Sequence, residues 1–168
     1  MKNKKDKILI IGPSSSGKST LINEWITKGL ANKKEICFAY QYNIIRRYTK
    51  RIFHFNLLRC YIKNNSSDVE TDKLLKSILK IKPLSIIILF TNQKELENRI
   101  SKRKYNEYEI LNQKNSYKRE EILKISKRCN YIGLYKSLID LLDKKRIKYT
   151  ILDTTNLKSK EISYEEIY

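Results

Sequence analysis

Lys7-Ile8-Leu9-Ile10-Ile11-Gly12-Pro13-Ser14-Ser15-Ser16-Gly17-Lys18-Ser19-Thr20 says more about the architecture than any other part of the chain. Lys7 to Ile11 is a short apolar run with the make-up of a buried strand. Gly12 to Ser19 then matches G-x-x-x-x-G-K-[ST] at every fixed position, and a helix is expected to follow as far as about Ala31. Glycines at the two ends let the backbone curl until successive N–H groups face one centre. The N-terminus of the following helix adds its positive end, so the concavity suits phosphate. Gly12, Ser14, Ser15, Ser16, Gly17, Lys18, Ser19 and Thr20 are therefore the expected phosphate-contacting set. Lys18 would stand against the β- and γ-phosphates of a nucleotide, and the Ser19 hydroxyl would ligate Mg²⁺. The chain has only 4 glycines and two of them lie here, so composition alone does not generate the motif.

Outward from this loop, apolar strands and amphipathic helices alternate. Ile36 to Tyr40 reads as a second strand. In 41–66, Asn43 to Arg51 suits a helix, and Ile52 to Leu58 suits either a strand or an extended acceptor-side loop. Ser67-Asp68-Val69-Glu70 fits a capping box, followed by an apolar face of Val69, Leu74, Leu75, Ile78 and Leu79 that Pro83 terminates. Ser85 to Phe90 is a continuous β-branched run of the kind buried on both faces of a parallel sheet. A helix is expected from Asn92 to about Lys104, then a polar segment over 105–116. From Tyr117 to Lys145 apolar residues recur at 122, 125, 129, 132, 135, 139 and 142, the spacing of one amphipathic helix. Tyr149 to Leu152 is a last strand ending at Asp153. This alternation predicts a single α/β domain over 1–168, three-layered, with a parallel sheet of five strands.

Composition narrows the function classes. Over 168 residues the net charge is +18, from 36 Lys and Arg against 18 Asp and Glu, and the lysines are spread along the whole chain. A nucleic-acid stripe would concentrate charge and interleave it with glycine or aromatics, so no nucleic-acid partner is expected. Attraction of small anions is the safer consequence. Cys37, Cys60 and Cys129 form no metal-ligand spacing and are expected to be free, buried thiols. No apolar run approaches the roughly 20 residues of a bilayer span. The basic start Met1 to Lys7 is not followed by a run long enough for a signal sequence, so a cytoplasmic protein without membrane attachment is expected.

The nucleotide-binding class follows from what accompanies the loop. A guanine-reading N-K-x-D and a D-x-x-G switch are both missing, and Ile86 to Phe90 ends in Thr91-Asn92 instead of an acidic pair. Leu96-Glu97-Asn98-Arg99-Ile100-Ser101-Lys102-Arg103 resembles the L-x-x-R-I-x-x-R stretch leading into the lid of nucleoside-monophosphate kinases, the adenylate kinase-like family. Arg119-Glu120-Glu121 and Arg128-Cys129-Asn130-Tyr131 are similar to that family's R-x-D-D and its later arginine and tyrosine. The resemblance covers the loop and roughly residues 85–155. It implies a P-loop NTPase fold, ATP and Mg²⁺, a short lid over 104–118, and Arg99, Arg103 and Arg128 closing over the nucleotide. Guanidinium forks suit that task, because phosphoryl transfer needs mainly neutralisation of charge on the transferring group.

The resemblance stops at the acceptor. That family carries an acidic strand end in mid-chain, whereas no Asp or Glu lies between Glu35 and Asp68 here. His54, the only histidine, is the candidate base, with Asn56 and Arg59 to orient an anionic acceptor in a binding region over 41–67. The plainer reading of His54 is a residue satisfied within the fold, and Asp68 is a rival base. Tyr40, Tyr42 and Tyr48 lie near the same region. The expected activity is transfer of the γ-phosphoryl of ATP to a small-molecule acceptor such as a nucleotide, sugar or sugar derivative. The alternatives are a nucleotide-binding regulatory protein or weak ATPase and, third, a polynucleotide kinase.

Overall fold

Strand β1 (Lys7–Gly12) lies inside a six-stranded sheet of order β2-β3-β1-β4-β5-β6. The computed structural model describes residues 6–38, 50–82, 84–103, 119–156 and 158–167. Strands β2 (Ile36–Phe38), β3 (Ile52–Asn56), β4 (Leu84–Phe90) and β5 (Tyr149–Asp153) join β1 in parallel. The sheet therefore exceeds the expected five strands by one. The sixth, β6 (Lys160–Ile162), runs antiparallel to β5, pairing Ile151 with Ile162 and Asp153 with Lys160. Three residues with one apolar side chain carry no alternation to read, so only pairing defines this edge.

Helices cover both faces. On one side α1 (Lys18–Thr27) lays Ile22 and Trp25 over Ile10, Ile36, Ile52 and Leu89. On the other, Leu9, Ile11, Phe53, Phe55, Ile86, Ile88 and Ile151 are buried with residues of four helices. These are α2 (Leu58–Asn64), α3 (Lys73–Ile78), α4 (Gln93–Lys102) and α6 (Tyr131–Lys144). Strands enclosed on both faces need apolar residues at nearly every position, which is why β1 and β4 are legible as unbroken apolar runs. Strand β3 alternates instead: Phe53 and Phe55 enter the larger core, and His54 and Asn56 turn to the α1 side.

Three helix boundaries differ from expectation. Helix α1 stops at Thr27 instead of Ala31, because Gly29 (φ 71°) turns the chain and Leu30 and Ala31 bond back to the Trp25 carbonyl. Ser67–Glu70 is a turn in which Asp68 Oδ1 accepts from the Glu70 N–H. The helix starts later, where Asp72 accepts from the Leu75 N–H at 2.9 Å. The single helix expected over 117–145 is two, α5 (Arg119–Arg128) and α6, broken at Cys129-Asn130. Asn130 caps α6 by accepting from the Gly133 N–H at 2.9 Å. Ile125, Cys129 and Ile132 keep a helical spacing across the break, which hid it, although Ile132 is exposed in α6. Asn130→Ala is expected to cost about 1 kcal/mol. In a chain of this size that lowers Tm by about 2–4 °C, measurable by calorimetry.

Cys37, Cys60 and Cys129 are free and buried, as expected. Burial pushes the Cys60 and Cys129 thiols up to about 12. Among the described residues no helix is long and apolar enough to cross a membrane. The expected lid (104–118), Tyr40, Tyr42, Tyr48 and residues 41–49 of the acceptor region lie outside the described residues.

Candidate phosphate-binding site

The chain leaves β1 for β2, returns through β3, then crosses to β4 on the other flank of β1. Such a reversal opens a crevice at the carboxyl ends of the central strands, where α/β sheets bind ligands. The loop from Gly12 to Gly17 sits there, between the ends of β1 and α1. Gly12 is required by close approach: a Cβ would fall 2.6 Å from Ser16 Oγ and 2.8 Å from the Leu89 carbonyl oxygen. Gly17 has φ 93°, a conformation that side chains resist, and from it α1 begins. Ser15 is also left-handed, at φ 65°, and its hydroxyl is buried with no hydrogen-bond partner among the described residues. A buried hydroxyl without a partner costs about 1–3 kcal/mol, and a phosphate oxygen would satisfy it.

Lys18 is only 4% exposed, a rare state for lysine. Its Nζ donates to the Gly12 carbonyl at 2.8 Å and to the Pro13 carbonyl, with Ser16 Oγ at 3.4 Å. Burial, aided by the charge of Arg103, pushes this ammonium down to about 7. A cation stripped of water and set among loop carbonyls is poised to exchange them for a stronger anionic partner.

His54 is the cross-strand neighbour of Ile10 and is half-buried. Burial first, then Lys18, with a smaller effect of Arg103, pushes its imidazole down to about 3. Lys18, His54 and Arg103 thus share one electrostatic neighbourhood. His54 is a much weaker base than its free side chain, and the role left to it at neutral pH is that of an uncharged hydrogen-bonding group. Because the unfolded chain binds this proton below 6.5 and the folded chain does not, the stability His54 contributes is whole above 6.5 and fades as pH falls toward 3. As the only histidine, its Hε1 proton resonance is expected to stay flat from pH 8 to about 4.5. A sigmoid centred near 6.5 would contradict the geometry.

The remaining candidates are distributed differently. Ser19 and Thr20 are exposed in the first turn of α1. Arg99 is committed to the protein: Nε donates to Glu95 Oε1 at 2.8 Å, and Nη2 donates to the Thr154 and Thr155 carbonyls at 2.5 and 3.1 Å. Arg128 lies exposed in the last turn of α5, and among the described contacts its carbonyl, accepting from Tyr61 OH at 3.3 Å, is what engages it. Asn56 Oδ1 accepts from the Leu58 N–H at 3.1 Å. Arg59 faces buried Asp72, Nε to Oδ2 3.5 Å. Asp68 serves its own turn and accepts from Ser137 Oγ at 3.4 Å.

Sequence reasoning missed three supports of the loop. Thr154 Oγ1 lies 2.8 Å from the Ser16 carbonyl oxygen, 2.9 Å from that of Phe90 and 2.7 Å from Thr91 Oγ1. Thr91 is buried. Tyr135, fully buried on α6, donates to the Leu89 carbonyl at 2.8 Å, the same group that Gly12 must approach. Thr91 directly follows β4 and Thr154 directly follows β5. A hydroxyl one residue past an apolar strand is a signal for the site edge, though a common one. Among the described residues no three His, Cys, Asp or Glu side chains converge to hold a metal ion. No protein-family model matches this sequence, and no curated protein does either.

Proposed function

We propose that this chain is an ATP- and Mg²⁺-dependent phosphotransferase that moves the γ-phosphoryl group to a small-molecule acceptor. The observation that carries the reading is Lys18, buried in the curl of Gly12–Gly17 at the carboxyl end of β1 and within electrostatic reach of Arg103 and His54. Lys18 and the loop amides hold the β- and γ-phosphates, and the buried Ser15 hydroxyl gains a phosphate oxygen as partner. The exposed Ser19 hydroxyl, a hard oxygen ligand in the first turn of α1, would hold Mg²⁺. When bound, that ion supplies neutralisation of phosphate charge. Arg103 adds positive charge beside Lys18, where negative charge grows on the transferring group. Neutral His54 offers a hydrogen bond to an incoming hydroxyl, and Arg99 secures the segment after β5 that borders the loop.

ADP release by the wild type and by Lys18→Ala, measured across nucleosides, nucleotides, sugars and sugar phosphates, tests this reading. At least one acceptor is expected to raise wild-type release well above the Lys18→Ala background, and a flat panel overturns the assignment. A second reading has its own observation. Asn56 stands level with Gly12 on the neighbouring strand, where a carboxylate could have served as base or oriented a metal-bound water. A nucleotide-binding regulatory protein or slow ATPase fits that position. ATP binding at a flat acceptor panel would favour it.

A further inference from the structure

The segment Asp153–Thr155 leaves β5 beside the loop, and the chemistry above gives its side chains no part. Its backbone is held on every side. The Thr154 N–H donates to the Phe90 carbonyl at 2.8 Å, and the Thr154 and Thr155 carbonyls accept from Arg99 Nη2. The Thr155 N–H donates to Asp153 Oδ1 at 2.8 Å, and Thr155 Oγ1 accepts from the Asn92 N–H at 3.1 Å. A threonine side chain on so fixed a backbone has little rotamer freedom left.

Proton counting then assigns the Thr154 hydroxyl. It faces two carbonyl oxygens, those of Ser16 and Phe90, and one hydroxyl, that of Thr91. Carbonyls only accept, so the single proton of Thr154 goes to a carbonyl, and Thr91 donates in the 2.7 Å hydroxyl pair. The Phe90 oxygen already receives the Thr154 N–H, which leaves Ser16 as the acceptor this hydroxyl serves best. In a planar trans peptide the C=O and the next N–H point in opposite directions. Holding the Ser16 oxygen toward β5 therefore aims the Gly17 N–H the other way, off the β5 side.

We infer that Thr154 is a positioning residue for phosphate binding: its hydroxyl, oriented by Thr91 and Arg99, turns the Ser16–Gly17 peptide so that the Gly17 N–H faces the phosphate. The inference rests on the phosphate-binding reading of the loop. It also gives Arg99 a task at a distance from the nucleotide, as the clamp on the Thr154 backbone.

The test is calorimetric titration of ADP and of inorganic pyrophosphate into the wild type, Thr154→Val and Thr154→Ser. Valine keeps the shape and removes the hydroxyl; serine keeps the hydroxyl. Losing one hydrogen bond's worth of alignment is expected to weaken both probes by about fivefold to tenfold in Thr154→Val, with Thr154→Ser within about twofold of wild type. The Gly17 amide resonance of the protein without added probe is expected to move in Thr154→Val and to return in Thr154→Ser, which loss of stability alone would not produce. Should Thr154→Val fail to fold, Thr91→Val removes the proton donor that orients the hydroxyl, and at least about a threefold loss is expected. Wild-type affinity or an unmoved Gly17 resonance in the valine variant overturns the inference while leaving the phosphate reading intact. Failure of the wild type to bind either probe overturns both.

Discussion

Lys18→Met is expected to keep its fold and lose the proposed phosphoryl transfer by at least about 10²-fold, the usual weight of one preorganised charge partner at a transferring phosphate. Methionine follows lysine as far as Cε and lacks only the ammonium, so most of the loop interior stays filled. Stability and activity should part company. The ammonium is buried and depressed to about 7, which means the fold holds this charge against its preference for water. Removing it frees the Gly12 and Pro13 carbonyls of one partner but also removes the cost of burying a cation. Tm is therefore expected to be no lower than wild type by calorimetry, while steady-state ADP release collapses. A variant that loses both in step would mean Lys18 holds the fold and has no special claim on phosphate.

Gly12→Ala is expected to damage both properties together. The added Cβ meets the Leu89 carbonyl oxygen at 2.8 Å and Ser16 Oγ at 2.6 Å. Ser16 can rotate its hydroxyl. Leu89 cannot yield as easily, because its strand is paired on both sides and its oxygen is held by Tyr135. The loop must therefore lift from β4, and overpacking of this kind costs about 1–3 kcal/mol. Gly12 also offers its carbonyl to the Leu57 N–H at 2.9 Å, so the displacement reaches the start of α2. A Tm several degrees lower, with ADP affinity reduced by at least about tenfold, is the expected pair of results. An unchanged melting curve would show that the loop has room the geometry denies.

What could be read from the residues alone had a common property: it was local. The strand, loop and helix start occupy consecutive positions, and the backbone conformations they need are set by Gly12 and Gly17 themselves. Ser85 to Phe90 was equally legible, since burial on both faces demands an unbroken apolar run. Legibility fell where the deciding contact comes from elsewhere. Strand β6 exists only by pairing with β5, and the break at Asn130 between α5 and α6 sits inside a run of helix-spaced apolar residues that includes Ile132, which ends exposed.

Arg99 and Arg103 show the same limit at the site. Four residues apart, they would share a face if the helix ran through both. Helix α4 ends at Lys102, and Arg103 is already extended (φ −63°, ψ 121°). The two guanidinium groups consequently serve different neighbours: Arg99 binds the carbonyls after β5, and Arg103 lends its charge to Lys18 and His54.

Local sequence set the curl of Gly12–Gly17, because the glycines that permit its backbone turns lie within eight adjacent residues. Tertiary structure alone decided what surrounds the curl. It brought Thr154 from 138 positions away to the Ser16 carbonyl, seated Tyr135 under Leu89, and gave His54 surroundings whose burial first, and the Lys18 charge second, strip it of its ordinary basicity. The physical reason is that hydrogen bonds across the sheet and the loss of water around a charge both depend on which strands become neighbours, and strand order is not written in any local stretch.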